Sequence, residues 1–380
     1  MVKNVLIISH VKSECLSNGG AVHTQSLVNL INYLYPNCKI SEIYFVDRIS
    51  KYNKTIAKIR ALTTSIVTSH SSKSVYFKSE SFRKRLINVI SCNAIDLILI
   101  DHAEMLWTLD YLPPNIPTIH LSHNVESALY FEFINNYLDI PLIGKFLLHD
   151  AEKYKYYEDK YASLIKNIIT ISTEDANYFS RLHDDMNVSV INPFFTYPRR
   201  SHILRPNKND KLILGFLANM EWWPNRDAFQ WLDKSVLPHL RIPYELRVYG
   251  NKSESLTNGD NIIGKGFVKD LAELWEEVDL IVNPIISGGG VNIKVAEAIY
   301  NRMPMICTSK ALRGLDIMPE SSIVVLNTSE EWINFINNVK VPLKSFFKCT
   351  FANADKFGIV QRSVVLKKYI ELITPEKESA

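Results

Sequence analysis

The stretch LIVNPIISGGGVNIKVAE, from Leu280 to Glu297, decides the fold. It begins as a short apolar strand, passes through three consecutive glycines, and continues as a helix that is predicted to start near Asn292. A strand that turns through glycines into a helix is typical of the nucleotide-binding halves of doubly wound α/β sheets. Lys294 and Glu297 are three residues apart and would therefore share one face of that helix.

The residue types in this stretch suit a phosphate and a ribose. Gly288, Gly289 and Gly290 let the backbone come close to a ligand, and the amides at a helix N-terminus attract an anion. Lys294 can reach the same anion from the first helical turn, and the carboxylate of Glu297 can accept hydrogen bonds from two ribose hydroxyls. The plainer alternative, a glycine-rich turn with a Lys–Glu surface pair, stays open on these residues alone.

The same alternation of short apolar strand and helix recurs along the whole chain. Runs such as LILI and IVVL are apolar on both faces, which is typical of parallel strands covered by helices on each side. Strands are predicted at residues 5–9, 42–46, 96–101, 118–122, 167–172, 189–192, 212–217, 245–250, 261–267, 280–284, 305–308 and 322–326. This order predicts an α/β protein built from doubly wound, Rossmann-like sheets.

Residues 193–210 interrupt this alternation with three prolines and several charges. We therefore predict an N-terminal domain at residues 1–195, a linker at 196–210 and a C-terminal domain at 211–358. A last helix at residues 359–380 can cross back to the first domain. Because ligands of such sheets bind beyond the carboxyl ends of the strands, the site is expected in a cleft where the two domains face each other.

Composition excludes several classes of protein. Hydrophobic residues make up 47% of the 380 and charged residues 22%, as in ordinary globular proteins, and a net charge of +3 does not indicate a nucleic-acid partner. No run reaches the roughly 18 apolar residues of a membrane helix, and residues 5–8 are expected to form a core strand rather than a secretory signal. Five widely spaced cysteines without a C-x-x-C pair favour the cytoplasm.

Four further segments add to the glycine stretch in a fixed order. They are NGGAVHT at 18–24, HNVES at 123–127, GFLANMEWWPNRD at 215–227 and MPMICTSKALRGLD at 303–316. Together with the glycine stretch they resemble the retaining glycosyltransferase family four, also described as glycosyl transferases group 1, over about 300 residues. The resemblance implies the GT-B fold, with two Rossmann-like domains that face each other across a cleft.

The resemblance also implies a role for individual residues. Lys294 would bind the donor diphosphate and act in catalysis, Glu297 would hold the ribose, and His123 would face the transferred sugar from the first domain. The implied donor-binding residues are Gly19, Gly20, Asn219, Arg226, Phe267, Val268, Gly288, Gly289, Gly290, Val291, Asn292, Lys294 and Glu297.

The sequence departs from the family pattern at two places. Many members carry a second glutamate eight residues before the ribose glutamate, where this chain has Gly289. Many also carry a basic pair early in the second domain, where Arg226 is the one nearby cation. These departures put side-chain recognition of the sugar and the second phosphate clamp in doubt.

Polar residues that follow two predicted strands of the first domain are candidates for the acceptor pocket. They are His102, Glu104, Asn124 and Glu126, and an ordinary loop is the alternative for them. No D-x-D occurs, so no metal and no cofactor is expected beyond the nucleoside diphosphate sugar that serves as donor.

The segment from Arg48 to Ile90 holds ten Lys or Arg and one acid, Glu80, which gives it a charge of +9. Such a segment can attract a protein to an anionic membrane, although a solvated helical face is the equal alternative. We therefore expect a cytoplasmic enzyme, peripheral at the inner face of the cytoplasmic membrane, with a glycan or lipid-linked glycan as acceptor. Its expected role is the synthesis of a bacterial surface polysaccharide such as lipopolysaccharide.

The expected activity is metal-independent transfer of a sugar with retention of its anomeric configuration. The departing phosphate would take the acceptor proton in a same-face displacement, and Lys294, the glycine amides and the helix dipole would stabilise the leaving charge. Three rivals stay open: a nucleotide-sugar epimerase, a non-catalytic scaffold with the same fold, and an inverting transferase with His102 or His123 as its general base.

Overall fold

A computed structural model describes residues 2–12, 19–45, 51–135, 141–199, 211–268, 270–339 and 351–374. The chain divides into two units, which are described separately below. The first unit comprises residues 1–16, 20–192 and 362–380, and the second comprises residues 17–19 and 193–361. The predicted linker at 196–210 is described only as far as residue 199.

The first unit contains a six-stranded parallel sheet with the strand order β2-β1-β3-β4-β5-β6. Its strands are β1 (Asn4–Ser9), β2 (Lys39–Tyr44), β3 (Leu97–Asp101), β4 (Thr118–Ser122), β5 (Asn167–Thr170) and β6 (Asn187–Val190). Its helices are α1 (Gly19–Leu34), α2 (Lys51–Val67), α3 (Ser72–Tyr76), α4 (Glu80–Cys92), α5 (Glu126–Ile134), α6 (Pro141–Ile165) and α7 (Thr173–Ser180). A 3₁₀ segment at Ala103–Tyr111 follows β3.

The second unit contains another six-stranded parallel sheet, with the order β12-β11-β10-β7-β8-β9. Its strands are β7 (Leu212–Leu217), β8 (Tyr244–Tyr249), β9 (Ile262–Gly266), β10 (Leu280–Asn283), β11 (Met305–Cys307) and β12 (Ile323–Val325). Its helices are α8 (Trp223–Ser235), α9 (Ala272–Glu277), α10 (Ile293–Tyr300) and α11 (Ser329–Asn337). The last helix, α12 (Ile359–Ile373), lies mostly in the first unit, where the Tyr369 hydroxyl lies 2.6 Å from the Asn187 carbonyl.

The predicted α/β fold is confirmed, and each of the twelve predicted strands is present. The central strands β3 and β4 are buried at every residue, because their two apolar faces are both covered. The largest difference is at β2, which begins at Lys39, three residues before the predicted start. None of the helices among the described residues is long and apolar enough to cross a bilayer.

Each sheet has a switch point, where two neighbouring strands continue in opposite directions across the sheet. In the second unit β7 and β10 are neighbours, so the loops that follow them begin at the same edge. In the first unit the corresponding neighbours are β1 and β3. Ligands of open α/β sheets bind at this position, just beyond the carboxyl ends of the strands.

Candidate active site

The glycine loop between β10 and α10 packs against the start of α8 and is hydrogen-bonded to it. Gly288 has a φ of +88°, and a Cβ atom there would come 2.6 Å from Pro224 Cγ. The Ser287 hydroxyl donates to Asp227 Oδ2 at 2.8 Å. A side chain at position 288 would therefore push the loop away from α8, which explains why a glycine stands there.

Helix α10 begins without a side-chain cap. Asn292 occupies the cap position, but its amide donates to Asn283 Oδ1 at the end of β10, at 3.1 Å. The first turn of α10 therefore directs its backbone dipole at whatever lies beyond the glycine loop. This arrangement suits a phosphate.

Lys294 projects from the first turn of α10 and is half-buried. Its ammonium donates to Asn225 Oδ1 at 2.6 Å and lies 5.1 Å from the ring centroid of Phe216. Within the described residues no carboxylate lies within 4.0 Å of it. Burial lowers the pKa of Lys294 to about 7. A lysine without a built-in counter-ion is prepared to receive an anion.

Glu297 lies one turn further along α10 and is 9% exposed. Its Oε1 accepts a hydrogen bond from the Tyr197 hydroxyl at 2.8 Å. Burial raises the pKa of Glu297 to about 7, although the bond from Tyr197 acts in the opposite direction. Lys294 and Glu297, the two charged residues predicted from the sequence, therefore both have pKa values near neutrality. We call this group, with the glycine loop, the glycine-loop site.

The loop after β7 forms the adjoining edge of the second unit. Asn219 Oδ1 accepts from the Glu221 amide at 2.9 Å, which shapes the turn. The guanidinium of Arg226 donates to the carbonyls of Met220 and Glu221 at 3.0 and 2.7 Å. Arg226 therefore braces this loop, and its role as a second phosphate clamp stays a prediction.

The predicted nucleobase loop follows β9. Gly266 closes that strand with a φ of +73°, and a Cβ atom there would come 2.7 Å from Glu254 Oε1. Phe267 is 52% exposed, and Val268 is half-buried. An exposed aromatic ring after a strand end can stack on a base, so the prediction for Phe267 and Val268 stands untested.

Five histidines lie in the first unit around or close to Asp101, the last residue of β3. His123 Nε2 lies 2.7 Å from Asp101 Oδ1, and His102 Nδ1 lies 3.0 Å from Asp101 Oδ2. The imidazoles of His102 and His123 are stacked, with ring centroids 3.9 Å apart and planes at 12°. The whole set, which we call the histidine cluster, is Asp101, His102 and His123 with His10, His23 and His120 around them.

Asp101 is the electrostatic centre of the histidine cluster. It also accepts hydrogen bonds from the hydroxyls of Ser9 at 2.7 Å and Thr24 at 3.0 Å. Although burial acts to raise it, the two imidazoles hold the pKa of Asp101 well below its ordinary value. Burial acts to lower the pKa of His102, but the charge of Asp101 outweighs burial and raises it. The pKa of His123 is lowered, by burial and by His102. His123 is therefore the neutral member of the stacked pair.

The predicted acceptor residues of the first unit are brought together by a lysine. The ammonium of Lys73 lies 2.9 Å from Glu104 Oε1 and 2.7 Å from Glu126 Oε2. The Asn124 amide donates to Glu126 Oε1 at 3.0 Å. The fourth predicted residue, His102, stacks on His123. All four therefore lie in one polar region near the ends of β3 and β4.

The glycines predicted to close on the ligand, Gly19 and Gly20, are the first two residues of α1. The Gly20 carbonyl lies 3.0 Å from the hydroxyl of Thr24, one turn later. The preceding part of the NGGAVHT motif falls outside the described residues.

The site includes three residues that the sequence did not single out for a role, together with Asp101, which begins the segment that holds the predicted acceptor residues His102 and Glu104. Asn225 lies inside the quoted WWPN segment, and its position at a helix start was the available signal. Asp101 is a strand-end acid beside His102, which is also a recognisable signal. Lys73 and Tyr197 gave none, because each meets its carboxylate partner only through the tertiary fold.

Most of the second unit matches the model of a known protein family. Residues 211–339 match the family model described as Glycosyl transferases group 1. That range begins just before β7 and includes the glycine loop, Lys294 and Glu297. The sequence has no match among curated proteins.

Solved structures resemble the chain over nearly its whole length. A sucrose-phosphate synthase from Thermosynechococcus elongatus is 12% identical with a TM-score of 0.67, covering 98% of this chain and 100% of its own. Anabaena Alr3699/HepE, in complex with UDP and glucose, is 12% identical with a TM-score of 0.63, covering 97% and 100%. The lipopolysaccharide outer core galactosyltransferase WaaB, in its apo form, is 12% identical with a TM-score of 0.56, covering 97% and 99%. At this identity the likeness establishes the fold.

Proposed function

We propose that the chain is a glycosyltransferase of the group 1 type, built on the GT-B fold, and that its donor is a nucleoside diphosphate sugar. The observation that carries the proposal is the pair Lys294 and Glu297 on one helix directly after a glycine loop. Both are buried or half-buried, and each has one uncharged partner among the described residues. A nucleoside diphosphate supplies what both need, because its phosphates neutralise the lysine and its ribose hydroxyls donate to the carboxylate.

The proposed reaction transfers the sugar to an acceptor hydroxyl with retention and without a metal ion. As the glycosidic bond breaks, negative charge accumulates on the leaving diphosphate. Lys294, the backbone amides of the glycine loop and the dipole of α10 stabilise that charge. The departing phosphate takes the proton of the acceptor hydroxyl as the new bond forms on the same face of the sugar.

His123 is proposed to face the transferred sugar. Its Nε2 lies against Asp101, and its buried Nδ1 has no hydrogen-bond partner among the described residues. A neutral imidazole whose Nε2–H donates to Asp101 presents the lone pair of Nδ1. Such a group accepts a hydrogen bond from a sugar hydroxyl.

A thermal-shift panel tests the donor class. Each of UDP, GDP, ADP, dTDP and their sugars is added to the full chain, and a specific ligand raises Tm by mass action. Alr3699/HepE has been solved with UDP-glucose, which makes that compound the first to test here. The same panel on Lys294→Ala should show no shift, and a shift that survives this substitution contradicts the proposed site.

Product analysis separates the proposed activity from its rivals. NMR of the product should show that the anomeric configuration of the donor is kept, and inversion would favour an inverting transferase. Conversion of the donor sugar in the absence of acceptor would favour an epimerase. Binding of the donor with neither reaction would favour a non-catalytic scaffold.

We also propose that the acceptor is a lipid-linked surface glycan, reached from the inner face of the cytoplasmic membrane. Helix α2 supports this proposal because its large apolar side chains point outward while small residues, Ala61 and Ser65, are buried. Ile59 is 55% exposed and Ile66 is 66% exposed. The exposed side chains of α2 also include Ile56, Leu62 and Val67 and the basic Lys58 and Arg60.

An apolar row beside basic residues suits an anionic bilayer surface, where each basic residue contributes on the order of 1 kcal/mol. The side chains of Lys51 and Lys54, two basic residues of the Arg48–Ile90 segment, lie outside the described set, as does Arg48. Arg83 is paired with Glu80, the acid that the charge of +9 already counts, so this pair leaves that total unchanged.

Vesicle co-sedimentation tests this surface. The protein should bind vesicles that contain phosphatidylglycerol at low salt and be released at high salt, and Ile59→Ser with Ile66→Ser should abolish binding. The matched control is Ile87→Ser, an exposed isoleucine on α4. Failure of the wild-type chain to bind at low salt contradicts membrane docking, and self-association lost in the double variant would indicate a protein interface instead.

A further inference from the structure

Tyr197 lies ahead of β7, in the segment that the sequence assigned to a linker. Three residues at the end of α10 contact it. Its hydroxyl donates to Glu297 Oε1 at 2.8 Å and accepts from Asn301 Nδ2 at 3.0 Å, and its carbonyl accepts from the Tyr300 hydroxyl at 2.6 Å. Its ring packs edge-on against that of Tyr300, with centroids 5.5 Å apart.

The direction of the hydrogen bond to Glu297 is fixed by its surroundings. The Asn301 amide nitrogen also donates to the Glu297 carbonyl at 2.9 Å, and this bond to a backbone oxygen sets the orientation of the amide. Asn301 Nδ2 can therefore only donate to the Tyr197 oxygen. The single phenolic proton is consequently directed at the Glu297 carboxylate.

We propose that Tyr197 is a positioning residue of the nucleotide site, which holds Glu297 as a carboxylate in one orientation and leaves Oε2 to the ribose. This inference rests on the proposed function, in which Glu297 binds the ribose. A carboxylate that is held by a phenol on one oxygen loses less side-chain freedom when a ligand binds to the other. A carboxylate also accepts two ribose hydroxyls, whereas the protonated acid presents a donor of its own and accepts less well.

Charged groups around Glu297 do not replace this contact. Lys294 lies one turn earlier on α10 and is bound to Asn225. Arg199 lies over the Tyr300 ring, 4.8 Å from its centroid, and is paired with Asp355 at 2.6 Å. No cation among the described residues forms an ion pair with Glu297. Burial raises the pKa of Glu297, and the bond from Tyr197 is the neighbouring contact that opposes this.

The test is Tyr197→Phe in the full chain, with UDP and inorganic pyrophosphate as probes. Calorimetry gives both affinities between pH 6 and pH 8.5, and the ratio of UDP affinity to pyrophosphate affinity isolates the nucleoside contribution, because pyrophosphate has neither ribose nor base. Tyr197 contacts the residue proposed to bind the ribose, so a change of this ratio in Tyr197→Phe reports on the ribose part. At pH 7 the ratio should fall by about fivefold, less than the tenfold or more of a lost direct bond to a charged group, because Tyr197 acts on the ribose only through Glu297. The pH at which the ratio reaches half its maximum should move upward, because the pKa of Glu297 rises when the phenol is removed.

Two further variants make the result specific. Tyr369→Phe removes another largely buried phenol, in the first unit, and should leave the ratio unchanged. Asn301→Ala keeps Tyr197 but removes the amide that orients its hydroxyl, so the ratio should fall in the same direction by a smaller factor. The Asn301 variant also tests the proposal if Tyr197→Phe does not fold.

The outcomes distinguish this inference from the proposed function. If Glu297→Gln lowers the ratio and Tyr197→Phe does not, the role of Tyr197 is wrong and the ribose site stands. An equal loss of UDP and pyrophosphate affinity in Tyr197→Phe, without a pH shift, indicates a structural role only and also overturns the inference. If Glu297→Gln leaves the ratio unchanged, the ribose role of Glu297 and the inference both fail.

Discussion

Lys73 in the first unit and Lys294 in the second have opposite surroundings. Lys73 lies between the carboxylates of Glu104 and Glu126, whose charges outweigh the effect of burial and raise its pKa. Among the described residues Lys294 has the amide oxygen of Asn225 as its hydrogen-bond partner and no ion-pair partner, and burial lowers its pKa to about 7. The first lysine has its counter-ions in the fold. In the proposed function, the donor diphosphate supplies the counter-ion of the second.

The same contrast extends to one acid in each unit, Asp101 at the end of β3 and Glu297 on α10. Asp101 accepts from two hydroxyls and lies against two imidazoles, which hold its pKa well below its ordinary value. Glu297 has one phenol, and its pKa is raised to about 7. The polar groups of the first unit therefore stabilise one another inside the fold. Those of the glycine-loop site are left under-neutralised, which is expected of groups that bind a charged substrate.

The largest expected effect is that of Lys294→Ala on catalysis. Loss of the Lys294 ammonium should lower kcat/KM by a factor that corresponds to about 2–4 kcal/mol of transition-state stabilisation, as for one oxyanion donor. The free energy of unfolding should change little or increase, because a half-buried amine without a counter-ion is removed. Initial rates at subsaturating donor and urea unfolding measure the two quantities. A turnover within threefold of wild type contradicts the assignment.

The second effect concerns stability and involves the other lysine. Lys73→Met keeps the aliphatic stem but leaves Glu104 and Glu126 without their cation, so we expect a loss of about 3 kcal/mol in the free energy of unfolding at pH 7. Urea unfolding at pH 7 and pH 5 checks this. Lys73 lowers the pKa of the buried Glu104, so without the lysine Glu104 can take up a proton at lower pH and recover part of the loss. A loss below about 1 kcal/mol at pH 7 would show that the two lysines do not differ as described.

The sequence predicted more of the fold than of the candidate site. The β3 run LILID and the β10 run LIVN predicted buried parallel strands because their apolar pattern is local. Lys294 and Glu297 were predicted for the same reason, since a glycine turn and one helix face are local features. Tyr197 and Asn225 contact those two residues from positions 100 and 69 residues away, and no local pattern encodes such pairings.

A third, smaller effect is the pH dependence of UDP affinity. Lys294 has its pKa lowered to about 7 in the free chain and a bound diphosphate raises it, so binding takes up a proton above pH 7 and affinity falls as pH rises. Glu297 has its pKa raised to about 7 and the ribose favours the carboxylate, so binding releases a proton below pH 7 and affinity falls as pH falls.

UDP affinity, corrected for titration of the ligand, should therefore be greatest near pH 7. Calorimetry in two buffers of different ionisation enthalpy should show proton uptake at pH 8 and proton release at pH 6. Pyrophosphate should keep only the alkaline decline, and Lys294→Arg should weaken that decline because an arginine stays charged. A UDP affinity that changes in one direction across this range contradicts the pairing of the two groups.

The smallest expected effect is that of a chelator. Among the described residues, Asp101, His102 and His123 are the group whose ligand atoms lie close enough to hold an ion, within 4.8 Å of one another. A metal ion about 2 Å from an imidazole nitrogen lies near the plane of that ring. The two ring planes are 12° apart with centroids separated by 3.9 Å, so no single point lies near both planes and within bonding distance of both nitrogens. Asp101 already accepts from Ser9 and Thr24 and lies within 3.0 Å of both imidazoles, so an ion would have to displace these contacts.

We therefore expect EDTA to leave the transfer rate within twofold of the untreated rate. A complete loss that magnesium or manganese restores would show that a metal, rather than Lys294 alone, neutralises the leaving diphosphate.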